Sequence, residues 1–206
     1  MSTEKGFEYH AGQRSFQEHF DSVRLADRLV ERTYQTELDA HDKKFIESQR
    51  FFFLATADDK AEPYCTFRGG APGFVKVENS TTLIWPEYNG NGMFLALGNI
   101  NVNPQIHLLF IDFERQERFR VVGNAQVLFD DLAMSQFAEA QSLVRIHITR
   151  AFPNCKRYIP KMQFIEPSRH VPQVGIQTPC ADWKRSEWAC DVLPVDDPAN
   201  DPSVPS

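Results

Sequence analysis

Two short segments carry the residue types needed to hold a small anion. The first is Thr66-Phe67-Arg68-Gly69-Gly70. Arginine offers a planar, permanently charged fork of N–H donors. The paired glycines let an anionic group approach the backbone. The second is Asn89-Gly90-Asn91-Gly92-Met93, placed just before a short helical pattern. Backbone N–H groups at a helix start attract anions, and the asparagines add donors without adding charge. Each segment by itself also reads as plain connection, a hairpin turn with a surface arginine or a glycine-rich link with an asparagine cap. Brought together from two strand ends, Thr66, Arg68 and Gly69 with Asn89, Gly90, Asn91, Gly92 and Met93 would give one phosphate a cation and several N–H donors.

Other chemistry finds less support. Neither the phosphate loop Gly-x-x-x-x-Gly-Lys-Ser/Thr nor the dinucleotide fingerprint Gly-x-Gly-x-x-Gly occurs. The four cysteines, Cys65, Cys155, Cys180 and Cys190, form no C-x-x-C pair and read as thiols. No metal-ligand cluster, Ser/His/Asp set or paired-carboxylate site stands out, so no metal is expected and no catalytic residue is assigned. His107 lies in an apolar strand and reads as a barrel histidine bonded to a neighbour. Cys155 follows Pro153-Asn154, where the adjacent Lys156 and Arg157 could lower its pKa; a structural thiol is the plainer reading.

These segments must be positioned by a chain of 206 residues, enough for one domain with arms. Lys and Arg total 22 against 28 Asp and Glu, a net charge of −6, which argues against a nucleic-acid binder. No apolar run approaches the roughly 18 residues of a membrane helix. The first six residues lack the apolar centre of a secretion signal, so the cytoplasm is the expected location.

Helical spacing over 14–35 predicts one amphipathic helix, with Phe16, Phe20, Val23, Leu29 and Val30 on its apolar side. A second helix is expected over 38–48. Strands follow at 51–57 and 63–68, then a hairpin over 74–77 and 82–85. Residues 86–92 read as irregular, because Pro86 and two glycines break both periods. A short helix near 93–101, strands over 105–113 and 119–129, a helix within 131–141 and a strand over 143–151 complete the pattern. Six or seven strands with few helices between them favour an antiparallel barrel over a doubly wound sheet. From about residue 167 the chain is proline-rich and aperiodic, an extended arm with a disordered end. Trp183 and Trp188 in that arm either dock on a partner chain or pack within their own.

The ordered set Phe45-Ile46-Glu47-Ser48, Phe51 to Ala57, Thr66 to Phe74, Asn89 to Met93, Gly98-Asn99-Ile100, Asn103 to Phe110 and Phe152 to Ile159 resembles the pyridoxamine 5′-phosphate oxidase-like, FMN-binding split-barrel family. The resemblance implies a mainly β fold: a six-stranded antiparallel split β-barrel over 41–166, with an N-terminal helical arm over 1–40 and a C-terminal arm over 167–206. It also implies a homodimer with FMN at the interface, the phosphate on Arg68 and Thr66 and on Asn89 to Met93. Ala55, Thr56 and Ala57 would run near the flavin, and the partner subunit would cover its ring. Where the oxidases proper carry Ser-Arg-Lys in the phosphate loop, this chain has Asn-Gly-Asn-Gly, and the oxidases' C-terminal Arg and His elements have no clear counterpart. The function so implied is an FMN-dependent oxidoreductase, passing electrons from NAD(P)H to oxygen or a small-molecule substrate. The alternatives are a non-catalytic flavin- or haem-binding module and a protein using a deazaflavin in the same cleft. The 17 Phe exceed what one small barrel needs, leaving aromatic surface for a partner chain and a flat ring.

Overall fold

The computed structural model describes residues 7–206. The start of the expected N-terminal arm, and the stretch read for a secretion signal, lie outside the described residues. One sheet dominates. Its strands are β1 (Phe51–Ala57), β2 (Pro63–Gly69), β3 (Lys76–Asn79), β4 (Thr82–Glu87), β5 (Gln105–Asp112), β6 (Glu117–Leu128) and β7 (Ser142–Pro153). All pairings are antiparallel, in the order β2-β1-β5-β6-β7-β4-β3. This is the mainly β split barrel expected, with seven strands where the resemblance implied six. The short β3 pairs with β4 as the hairpin expected there. The sheet curls without closing.

Alternation along the strands explains which face is inside. Phe52 and Leu54 of β1, Leu108 and Phe110 of β5, Val121 of β6 and Ile146 of β7 are fully buried, and they meet Trp85 of β4. Phe52 lies at the centre, its ring 5.2 Å from Trp85, 5.3 Å from Phe110 and 5.9 Å from Phe74. One helix of the N-terminal part, α3 (Ala40–Ser48), caps the core with Phe45 and Ile46. Its start is fixed by reciprocal bonds between Asp39 and Asp42. A β-bulge in β7 shifts the register opposite Val122 and Gly123. There the strands approach so closely that a Cβ on Gly123 would sit 2.1 Å from the His147 carbonyl oxygen.

Four expectations need correction. The helix over 14–35 is two helices, α1 (Ala11–His19) and α2 (Val23–Thr33), separated where Asp21 adopts φ 49°. Their apolar side stays exposed at Phe16, Phe20, Leu25 and Leu29. Pro86 does not end regular structure; it continues β4, paired with Leu143 of β7. The pairing of β3 with β4 stops at Ile84, so Pro86 lies where only one side of the strand is paired and a missing N–H is tolerated. The helix within 131–141 shrinks to one turn, α5 (Asp131–Met134). The C-terminal end is held rather than disordered: Val204 packs with Cys180 and Ala199, and the Arg185 guanidinium donates to the Val204 carbonyl at 2.6 Å. Between β4 and β5 stands α4 (Leu95–Val102), matching the short helix expected there.

Candidate functional site

The curl of the sheet brings β2, at one end of the strand order, against β4, near the other. The open seam is a cleft of about 820 Å³. Thr66, Arg68 and Gly69 line one wall, and Gly90, Asn91, Gly92 and Met93 line another. Two segments about twenty residues apart in the sequence thus line one cleft. Tyr64, Phe74, Tyr88, Phe94, Leu97, Val127 and Phe129 give the cleft an apolar and aromatic body, the usual make-up of a small-molecule site.

Arg68 spans the seam. Its Nε donates to Glu87 Oε1 at 2.7 Å, and its Nη1 donates to Thr66 Oγ1 and to the Phe67 carbonyl, both at 3.1 Å. Nη2 faces no hydrogen-bond partner among the described residues, which leaves one edge of the fork for a ligand. Glu87 was not singled out by sequence reasoning. Its carboxylate also accepts from Trp85 Nε1 at 3.0 Å, so it is anchored by two donors. The continuation of the β4 alternation through Pro86 was the signal that could have found it, since Trp85 and Glu87 fall two residues apart. The pair is partly buried, with side chains 20% and 11% exposed. Among the described residues Arg68 is the one cation lining the cleft, and Glu87 offsets part of its charge.

The loop over 88–94 is built for close approach. Gly92 has φ 75°, and a Cβ there would meet nothing within 4 Å, so its backbone faces open space. The Asn91 side chain accepts from the Met93 N–H at 3.0 Å, using one of the loop's donors internally. Phe94, the residue before α4, takes φ 49°, a left-handed conformation that a non-glycine residue holds only when its surroundings enforce it. Tyr88 is pushed up to about 12 by burial and by Glu139, so its phenol keeps its proton as a donor.

Asn89 points elsewhere. Its side-chain oxygen accepts from Lys184 Nζ at 2.5 Å, and its amide donates to Asp197 Oδ2 at 3.4 Å. Lys184 and Asp197 form an ion pair at 2.6 Å with side chains 5% and 4% exposed. Burial alone would raise the Asp197 carboxyl; hydrogen bonds from Lys184, the Ala199 N–H and Asn89 outweigh it and hold the group below its ordinary value. The C-terminal segment is thereby fastened to the base of the glycine loop. Ala55, Thr56 and Ala57 are not brought to the cleft. Thr56 is buried and accepts from Asn99 Nδ2 at 3.0 Å, while Ala55 and Ala57 alternate onto the outer face of β1.

A family model described as pyridoxamine 5′-phosphate oxidase matches residues 38–166. The chain belongs to the pyridoxamine 5′-phosphate oxidase family. Solved structures similar to the chain include HupZ of Group A Streptococcus, 19% identical over 61% of this chain and 100% of that one, with a TM-score of 0.47. A candidate pyridoxamine 5′-phosphate oxidase of Lactobacillus delbrueckii is 22% identical over 57% and 95%, with a TM-score of 0.46. An FAD-binding protein of Mycobacterium smegmatis is 19% identical over 58% and 97%, with a TM-score of 0.40. A search of curated proteins returns no match.

Within this member of the pyridoxamine 5′-phosphate oxidase family, the remaining residues weighed from sequence fall outside the cleft. His107 sits half-buried on the outer face of β5, its Nε2 3.5 Å from Arg120 Nη1. Burial first, then the charges of Arg120 and Arg150, lower its pKa to about 4. The Cys155 thiol is exposed and held below its ordinary value, chiefly by hydrogen bonding with Arg157 and then with Arg118. Lys156 turns instead to Glu117 at 2.9 Å. Trp183 and Trp188 stack on each other at 5.6 Å, with Trp188 largely exposed. No helix among the described residues is long and apolar enough to cross a membrane.

Proposed function

We propose that the chain is an FMN-dependent oxidoreductase that passes electrons from NAD(P)H to oxygen or a small organic acceptor. We further propose that it works as a homodimer with the flavin at the interface. One observation supports this reading most directly: the Arg68 strand end and the Gly90–Met93 loop line the same cleft, which has the volume of a cofactor site. The residues fit a flavin nucleotide. Nη2 of Arg68 and the Thr66 hydroxyl suit the phosphate, and the open backbone at Gly90 and Gly92 lets it approach. The aromatic walls suit a flat ring.

When bound, FMN supplies the hydride and electron transfer chemistry. The chain's own residues bind, orient and exclude water. Arg68 fixes one end of the ligand by charge. Phe74, Phe94, Leu97 and Phe129 keep the cleft apolar. The neutral Tyr88 phenol can donate a hydrogen bond without titrating near neutral pH.

The test is the spectrum of the purified protein and its titration with FMN. Flavin absorbance bands that saturate on titration, with affinity falling in Arg68→Ala by about 1.5–3 kcal/mol, are the expected result. A colourless protein that ignores added FMN would refute the reading. A second reading, a non-catalytic flavin- or haem-binding module, draws on Glu87: a half-neutralised arginine and a loop without a cation suit modest phosphate affinity. A Soret band, or bound FMN that no nicotinamide reduces, would favour it.

A further inference from the structure

The outer face of the sheet, opposite the cleft, carries a second concentration of charge. Arg118 and Arg120 are two residues apart on β6 and point outward, because Phe119 and Val121 between and beside them point into the core. Arg150 on β7 lies opposite Val122, and Val122 lies opposite His107 on β5. Arg118 and Arg120 are same-face neighbours on one strand, about 6.8 Å apart, and Arg150 stems from the next strand, about 4.8 Å across, diagonal to Arg120 and one same-face step further from Arg118. Among the described residues none of the three has a carboxylate within ion-pair distance, whereas Arg68, Arg14 and Arg145 each do.

Their donors are incompletely used. Arg120 Nε donates to Asn154 Oδ1 at 2.7 Å, and its Nη1 reaches the neutral ring of His107. Arg118 Nη2 has only the Cys155 sulfur, at 3.9 Å. The Nε atoms of both Arg118 and Arg150 are buried without a hydrogen-bond partner among the described residues. A buried charged donor left unmatched is costly, and like charges crowded without a counter-ion add to that cost. Arg120 and His107 both register the crowding, each with its affinity for protons lowered first by burial and then by neighbouring arginines. The Arg150 guanidinium lies over the Phe7 ring, 4.8 Å from its centroid, and 5.8 Å from that of Tyr34, and Tyr34 stacks on Phe152 at 4.2 Å. The rings shield one side of the cluster from water without neutralising it.

We infer that Arg118, Arg120 and Arg150 form a second anion site, separate from the flavin cleft, that takes the phosphate group of a small phosphorylated molecule. A tetrahedral dianion has enough charge and acceptor oxygens to engage three guanidinium forks, which a single carboxylate does not. His107 stays neutral beside it and does not compete as a cation. Because the site is on the other face of the sheet from Arg68, it stands whether or not the cleft binds FMN.

The test uses the full-length chain and inorganic pyrophosphate and phosphate as probes, followed by calorimetry and by the ring resonances of His107. Saturable binding is expected in the wild type and in Arg68→Ala. It should weaken about tenfold or more in Arg120→Gln and in Arg150→Gln, while Arg150→Lys keeps part of it. Binding should move the His107 titration upward, since an anion offsets the field of Arg120 and Arg150. Unchanged melting temperature in the glutamine variants separates lost binding from lost fold. Absence of saturable binding in the millimolar range, loss of binding in Arg68→Ala with retention in Arg120→Gln, or equal affinity for succinate would each overturn the assignment.

Discussion

At the scale of single residues, the proposed FMN site turns on competition for Arg68. An incoming phosphate would seek the guanidinium that Glu87 already holds through its Nε at 2.7 Å. Glu87→Gln keeps an oxygen able to accept from Arg68 and from Trp85 Nε1 but removes the negative charge. FMN affinity should therefore rise, by about 1 kcal/mol or roughly fivefold, in a fluorescence titration. An affinity that falls would mean that Glu87 aids binding instead of opposing it. His107 gives a second residue-scale outcome. Its folded pKa of about 4 lies below the ordinary 6.5, so between those values the unfolded chain binds a proton that the folded one does not. Stability must drop as pH falls through that window, by about 2 kcal/mol once solvent screening is allowed for. His107→Gln should flatten this arm of the profile, as read from urea melts near about pH 4.5 and about pH 7; an undiminished slope would assign the loss to other groups.

At the scale of elements, the strands were legible because alternation exposes them: Phe52 and Leu54, or Phe119 and Val121, leave no doubt about which face is buried. Residue types singled out Arg68 and the glycine loop, and the two line one cleft. Other features depended on contacts that no local pattern encodes. The break at Asp21 rests on one backbone angle, the paired Pro86 on how far β3 extends, and Glu87 on a sheet curling far enough to meet its own edge. The role of Asn89 was least legible, because Lys184 and Asp197 lie about a hundred residues beyond it. That clamp makes a prediction. Lys184→Met alone strands a buried carboxylate and should cost about 3–5 kcal/mol. Lys184→Met with Asp197→Leu removes both charges and should recover most of that stability while freeing Asn89. FMN binding in the double variant should then weaken severalfold at nearly normal melting temperature; unchanged affinity would show that the loop holds its shape without the clamp. Gly123 tests the bulge in the same way. A Cβ 2.1 Å from the His147 carbonyl cannot be accommodated without separating β6 from β7, so Gly123→Ala should lower stability by about 3 kcal/mol or more in thermal melts, and a melt like the wild type's would show that the bulge yields freely.

At the scale of the whole molecule, the distribution of aromatic surface bears on assembly. The outer face of β1 and β2 carries Phe51, Phe53 and Phe67, joined by Phe113. Phe51 stacks on Phe67 at 5.4 Å and on Phe113 at 6.1 Å, and Phe67 is 57% exposed. The same Phe67 borders the cleft through its position on β2 beside Arg68. A contiguous apolar face of this kind is rarely left to water in a monomer, and here it runs up to the rim of the site. A second copy seated on it would bury the rings and overhang the cleft, so dimerisation and flavin affinity should be coupled. Phe67→Asp places a charge at the centre of that face and should convert a dimer of about twice 23.7 kDa to a monomer of that mass in sedimentation or light scattering. Because the side chain alternates away from Thr66 and Arg68, the substitution leaves the phosphate-facing groups in place. Any weakening of FMN binding should then track the loss of dimer and be reversed by raising protein concentration. A wild-type chain that is monomeric at micromolar concentration would refute the dimer, and a Phe67→Asp variant that stays dimeric would move the interface elsewhere on the molecule.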